Sequence, residues 1–302
     1  MDSEKKALTV SLTGILTVAA LGIGFGLLSG SYAIAFDGMI SLVDAIMSLV
    51  SIQVAGLITR SLLRGPSSLF GVGYWHLEPF VLALNALLMM AVTGYALVQA
   101  VLALFSGGRA VEFGPAVVYA VVVVILTVSF AVVEHRANRK IGSALVAMDV
   151  KGWIMTGGVT GALLLAFVLG AVLDARGQDQ LTPYVDPAVL VLVAIVLLPI
   201  PVPTLRRAVR EIALVTPSSL RAEAEAVAER TAHTHGFSSS AVYPVQVGRS
   251  RQVEIVFLVP EKADVKPLQE WDRIRREVGA ELGAEDPNNW ITVAFTTDPQ
   301  LL

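Results

Sequence analysis

The chain has 302 residues, of which 55% are hydrophobic and only 16% charged, where an ordinary soluble domain carries about 25% charged residues; its mean hydropathy is +0.69. A water-soluble core of this length could not hide so much apolar surface, whereas a bilayer is itself an apolar solvent. The net charge of −3 argues against a nucleic-acid partner, which needs a basic face, and the absence of cysteine excludes a disulfide framework, a thiolate metal site and a thiol nucleophile.

Six long apolar segments follow in order: Leu8 to Leu28, Tyr32 to Ile58, Pro79 to Phe105, Pro115 to Val133, Ser143 to Leu173, and Tyr184 to Pro203. Most reach the roughly 20 residues that a helix needs to cross the hydrocarbon core, and helices are expected because lipid cannot satisfy free backbone groups. The first segment runs on past the length of a cleavable signal without a small-residue break, so it reads as a retained span. Gly22, Gly24 and Gly26 within it read as sites of close helix packing. Pro199, Pro201 and Pro203 read as the stop of the sixth span. Lys5 and Lys6, Arg60 and Arg64, Arg136, Arg139 and Lys140, and Arg206, Arg207 and Arg210 all fall on one side of this alternation. The other side holds Arg109, Arg176 and an acidic loop from Asp174 to Asp186 that includes Asp179. The positive-inside rule therefore puts both termini in the cytoplasm of a cell (inner) membrane protein.

Beyond Thr216 the composition turns polar. Ser218 to His235 reads as a helix, Ala241–Val247 and Gln252–Val259 as strands paired through Gly248-Arg249-Ser250, Pro267–Leu282 as a second helix and Trp290–Thr296 as a third strand. The expected division is a membrane domain over residues 1–210 and a small α+β cytoplasmic domain over 211–302.

Ionisable side chains inside a span are costly and point to function. Span two holds Asp37 and Asp44, seven residues apart, hence on one face and about 10 Å apart along the axis. Ser41 lies between them and Ser48 beyond, a narrow polar seam on an otherwise apolar rod. Span five offers Asp149, with Thr156 and Thr160 along a similar face and Trp153 one turn on. Two carboxylates from one helix and one from another could converge on a hard dication such as Mg²⁺, Mn²⁺ or Fe²⁺. Each has a bland reading beside this one: Asp37 as a cap, Asp149 as a partner of Lys151 or Arg139. Asp44, deep in its segment, is the hardest to explain without a role. His76 and Glu78, before span three, could line a metal entry path, but read first as structural beside the interfacial anchors Tyr74 and Trp75. Asn85, Gln53 and Gln99 read as interhelical hydrogen-bonders, Glu134 and His135 as capping or salt-bridging groups, and His233 and His235 as surface residues at a helix end.

These residues resemble the cation diffusion facilitator family. The resemblance lies in the span-two run Ser31-Tyr-Ala-Ile-Ala-Phe-Asp37-Gly-Met-Ile-Ser41-Leu-Val-Asp44, in the loop Phe70-Gly-Val-Gly-Tyr-Trp-His-Leu-Glu78-Pro79, in six spans with both ends inside, and in the C-terminal domain. It implies a ferredoxin-like cytoplasmic domain, a homodimer, and export of a divalent metal (Mn, Fe, Zn or similar) from the cytoplasm in exchange for protons; no cofactor is expected, and the four scattered histidines, none in an H-x-x-x-H pair, argue against an intramembrane enzyme. It further implies a ligand pair four apart on span two and another on span five. Asp44 and Asp149 match one member of each pair, Asp37 matches a family aspartate earlier on span two, and the remaining two positions carry Ile40 and Trp153, which cannot bind metal. The chain thus reads as a divergent branch, with a metal set of Asp37, Asp44 and Asp149. A non-transporting metal sensor or scaffold of the same fold is the alternative reading.

Overall fold

The computed structural model describes residues 2–64, 73–141, 144–177, 180–261 and 266–302. Phe70, Ser143 and Asp179 lie outside the described residues, as do the side chains of Lys5, Lys6, Arg60, Arg64, Asp149 and Lys151. Seven helices come first: α1 Asp2–Ser29, α2 Tyr32–Arg64, α3 Leu77–Phe105, α4 Phe113–Ile141, α5 Ala144–Ala175, α6 Thr182–Leu197 and α7 Pro201–Ile212. Among the described residues six stretches are long and apolar enough to cross a membrane, the last running from Thr182 to Ile212. The prolines therefore act differently from expectation. They interrupt the sixth span between Leu197 and Pro201, and α7 then restarts with Pro201 at its first position, where the missing N–H costs nothing.

The chain forms two compact units, one of Met1–Val50 with Leu84–Pro203 and one of Ser51–Ala83 with Thr204–Leu302. In the first unit α4 lies along α5, α1 packs on both, and α6 packs on α5. Its core joins Val18, Ile34, Phe36, Tyr119, Trp153, Phe167 and Leu190. Apolar side chains also cover its outside: Leu27 is 79% exposed and Leu165 75%, as a lipid-facing surface requires. Association in lipid lacks a hydrophobic drive and relies on close backbone approach. A Cβ on Gly22 would fall on the Gly38 backbone and one on Gly26 would come 2.6 Å from the Ala35 nitrogen, so both set the α1–α2 distance. Gly24, by contrast, has nothing within 4 Å and plays no such part.

The loop reading of Asp186 needs correction. Asp186 is 1% exposed. Its carboxylate accepts hydrogen bonds from the Ser31 hydroxyl and from the Tyr32 and Ala33 amides at 3.1 and 3.3 Å, so an α6 side chain caps the start of α2. The Arg109 guanidinium lies 3.1 Å from the Tyr32 ring centroid at the same corner.

The second unit carries α8 Ser218–His235, β1 Ser239–Val247, β2 Ser250–Leu258, α9 Leu268–Glu281 and β3 Asn289–Thr296. The sheet order is β1-β2-β3, with β1 and β2 antiparallel and β2 and β3 parallel through α9. Together with the six spans, this is the all-α membrane region plus small α+β ferredoxin-like domain that the sequence suggested. Leu220, Val227, Ile255, Phe257, Ile274 and Val278 fill the space between helices and sheet. β1 and β2 each begin two residues earlier than the hydrophobic pattern indicates and β3 one; at β2 this is because Ser250 already pairs with Val247 and the turn is only Gly248-Arg249. Gly248 has φ +58, the sign that a tight hairpin turn requires at its first position. Both turn amides are held by carboxylates: Gly248 N–H donates to Glu211 at 3.1 Å and Arg249 N–H to Glu78 at 3.2 Å. The Arg249 Nε donates to the same Glu78 oxygen at 3.1 Å. A Cβ on Gly248 would approach that Glu78 oxygen to 2.7 Å. Glu78 is thus structural, as expected, and Trp75 beside it is 8% exposed and buried within this unit.

Candidate metal-transport site

Asp37 lies on the face of α2 that meets α4 and α5. It is 6% exposed, and its Oδ2 accepts hydrogen bonds from the Tyr119 hydroxyl on α4 at 2.8 Å and the Thr160 hydroxyl on α5 at 3.1 Å. One carboxylate oxygen therefore ties three helices together. The Thr160 hydroxyl is also 3.0 Å from the Thr156 carbonyl, so its single proton can serve either acceptor. No described residue donates to the other Asp37 oxygen. The capping reading of Asp37 does not hold: the cap of α2 is Asp186.

Asp44, two turns further along the same helix, is in a different state. It is half-buried, and among the described residues no hydrogen bond or ion pair reaches it. Ser41, between the two aspartates, is buried. Asp149 sits on α5, five residues in from its start.

The two positions that lack ligands are built into the packing. Ile40 is half-buried against the core of the first unit. Trp153 is buried, stacked on Phe130 with ring centroids 4.6 Å apart, and its indole N–H points at Ser11 (2.9 Å) and at Glu134 (3.3 Å). An indole fixed on both its face and its nitrogen does not turn away to admit a ligand. Glu134 is 2% exposed and accepts the Trp153 hydrogen bond inside the first unit. Among the described residues no three of His, Asp or Glu gather within reach of one ion.

Of the lesser candidates, Gln99 bonds Tyr95 within its own helix at 3.0 Å and not across two helices as expected, and Asn85 Oδ1 has no partner among the described residues. His235 pairs with Glu277 at 3.2 Å and packs on Phe237. Tyr119 is the partner of Asp37 that sequence reasoning missed. Its signal was a single phenol in the run Ala116 to Val124, whose hydroxyl must find a partner in lipid. Glu134 and Asp186 were legible only as charges near helix ends.

The family model described as "Cation efflux transmembrane domain" matches residues 8–213. The chain belongs to this cation efflux family. It is a multi-pass membrane protein and a transporter of metal cations. No curated protein matches the chain.

Proposed function

We propose that the protein exports divalent metal cations from the cytoplasm in exchange for protons, as a homodimer in the cell (inner) membrane with both termini cytoplasmic. Residues 1–210 carry the ion and residues 211–302 form the cytoplasmic domain. Asp44 supports this reading most directly. It is a carboxylate in an apolar helix with no described partner, and a charge so placed needs a compensating cation. Asp44 and Asp149 provide the metal carboxylates, and Asp37 completes the set on the same seam. An oxygen-only set of this kind suits Mn²⁺ or Fe²⁺ better than a soft ion.

Asp37 has a chemistry suited to the proton. When ionised, its Oδ2 accepts from both Tyr119 and Thr160. When Oδ2 is protonated it donates to Thr160, whose own proton turns to the Thr156 carbonyl. The proton is taken up without losing a buried hydrogen bond to that threonine. Metal arrival favours the ionised carboxylates and protonation releases the metal, which couples the two flows.

The non-transporting sensor remains a second reading because Ile40 and Trp153 remove half of the family ligand set. Proteoliposomes with an imposed pH gradient separate the two. Export predicts Mn²⁺ or Fe²⁺ movement that follows the gradient and stops when a protonophore collapses it. Metal binding without any flux assigns the sensor.

A further inference from the structure

A groove of about 440 Å³ runs between α4 and α5 on the first unit. Its floor is Thr127 and Trp153, both buried. Its walls are Val128 and Val132 from α4 and Ile154 from α5, between 41% and 61% exposed. The opening therefore faces outward, where the bilayer lies. Gly157 sits where a Cβ would come 2.8 Å from the Thr127 hydroxyl, which brings the two helices together. Gly158 has nothing within 4 Å, and the side chain it lacks leaves the groove open.

The groove is apolar along its length and basic at one end. Arg136 alone among its described lining residues carries a fixed charge. Arg139 and Lys140 follow on the same helix, all three are exposed, and no described carboxylate pairs with any of them. Six successive crossings place this end of α4 on the side of the chain termini. A greasy channel with Arg136 at one end matches a molecule with a long apolar tail and an anionic head, and a membrane surrounds the site with such molecules.

We propose that the α4–α5 groove binds one anionic phospholipid, its acyl chain between Val132 and Ile154 and its phosphate on Arg136, with Arg139 and Lys140 beside it. The lipid covers Trp153 from outside and so braces the α4–α5 pair on which the Asp37 hydrogen bonds depend. Lipid chemistry, not metal, sets its affinity.

Native mass spectrometry of the full chain in detergent tests this, with phosphatidylglycerol or phosphatidylcholine of identical acyl composition added. The expected result is a phosphatidylglycerol adduct that outlasts the phosphatidylcholine adduct. Arg136→Gln should weaken it about fivefold, the effect of one basic residue on an anionic surface. Gly158→Leu should remove it by filling the groove, and Ile154→Trp should do the same where Gly158→Leu fails to fold. Equal retention of both lipids, or a phosphatidylglycerol adduct unchanged by Arg136→Gln and by a folded groove-filling variant, overturns the proposal. So does a dimer whose formation expels the lipid.

Discussion

The two units are built inside out with respect to one another. In the sheet-containing unit the centre is apolar, with Ile255, Phe257 and Ile274 at 0% exposure, and the rim carries ion pairs such as Arg230–Glu281 at 2.6 Å. In the membrane unit the rim is leucine and valine, and the interior holds Asp37, Glu134, Thr160 and Asp186, none more than 6% exposed. Water drives the first arrangement by expelling apolar surface. In lipid that drive is absent, so polar groups go inside, where other helices can satisfy them.

The comparison meets its hardest test at Asp44. Asp44→Asn should lower metal flux in proteoliposomes at least tenfold, while the thermal unfolding temperature in detergent stays the same or rises, because an uncompensated carboxylate is removed. Unchanged flux removes Asp44 from the mechanism. Next comes the centre of the soluble sheet. Phe257→Ala should cost about 3–5 kcal/mol in the unit that contains it, read as early loss of the sheet signal on heating the full chain. The outer surfaces should respond in opposite ways. Leu165→Lys, near the middle of its span, should oppose membrane insertion by roughly 2.5–3.5 kcal/mol. Ala222→Lys on the exposed face of α8 should stay within about 0.5 kcal/mol, and similar costs at both sites would refute the inside-out description.

A smaller effect is expected within the polar interior. Tyr119→Phe takes away one of the two donors to Asp37 and should cost about 0.6–1.7 kcal/mol, the range for a hydrogen bond between membrane helices. It should also change the pH at which metal is released, a shift that packing loss alone does not produce. Smallest is the acid response of the turn before β3. The Asn288 amide and side chain donate to Asp286 and hold its carboxyl below the ordinary carboxylate range. That stabilisation is complete above the ordinary carboxylate pKa and is lost as pH falls through the lowered one. Asp286→Asn should flatten the acid limb of the unfolding curve slightly, and high salt should change little, since the first cause is a hydrogen bond and not a distant charge.

The spans were legible because twenty apolar residues in a row leave lipid as their only solvent, and the soluble elements because α8 and its two hairpin strands keep clean periodicities. Helix ends were harder to read. Pro201 looked like a stop but serves as the first residue of α7, since a proline that ends one helix is equally suited to begin another. At the candidate site, the sequence displayed the aspartates but not their partners. Tyr119 and Asp186 lie 82 and 155 positions from Asp37 and Ser31, and no spacing rule reaches that far.

By itself the sequence determined that this chain crosses a membrane, that it does so six times, and that carboxylates sit within the crossings. Each of these depends on composition along a single helix, where the cost of transfer from water to lipid is summed residue by residue. Only the tertiary structure decided that one Asp37 oxygen is held by Tyr119 and Thr160 while no described residue bonds Asp44, that Trp153 is held on its face and its nitrogen, and that Asp186 caps another helix. The satisfaction of a buried polar group is a property of what packs against it, and that is settled when the helices assemble.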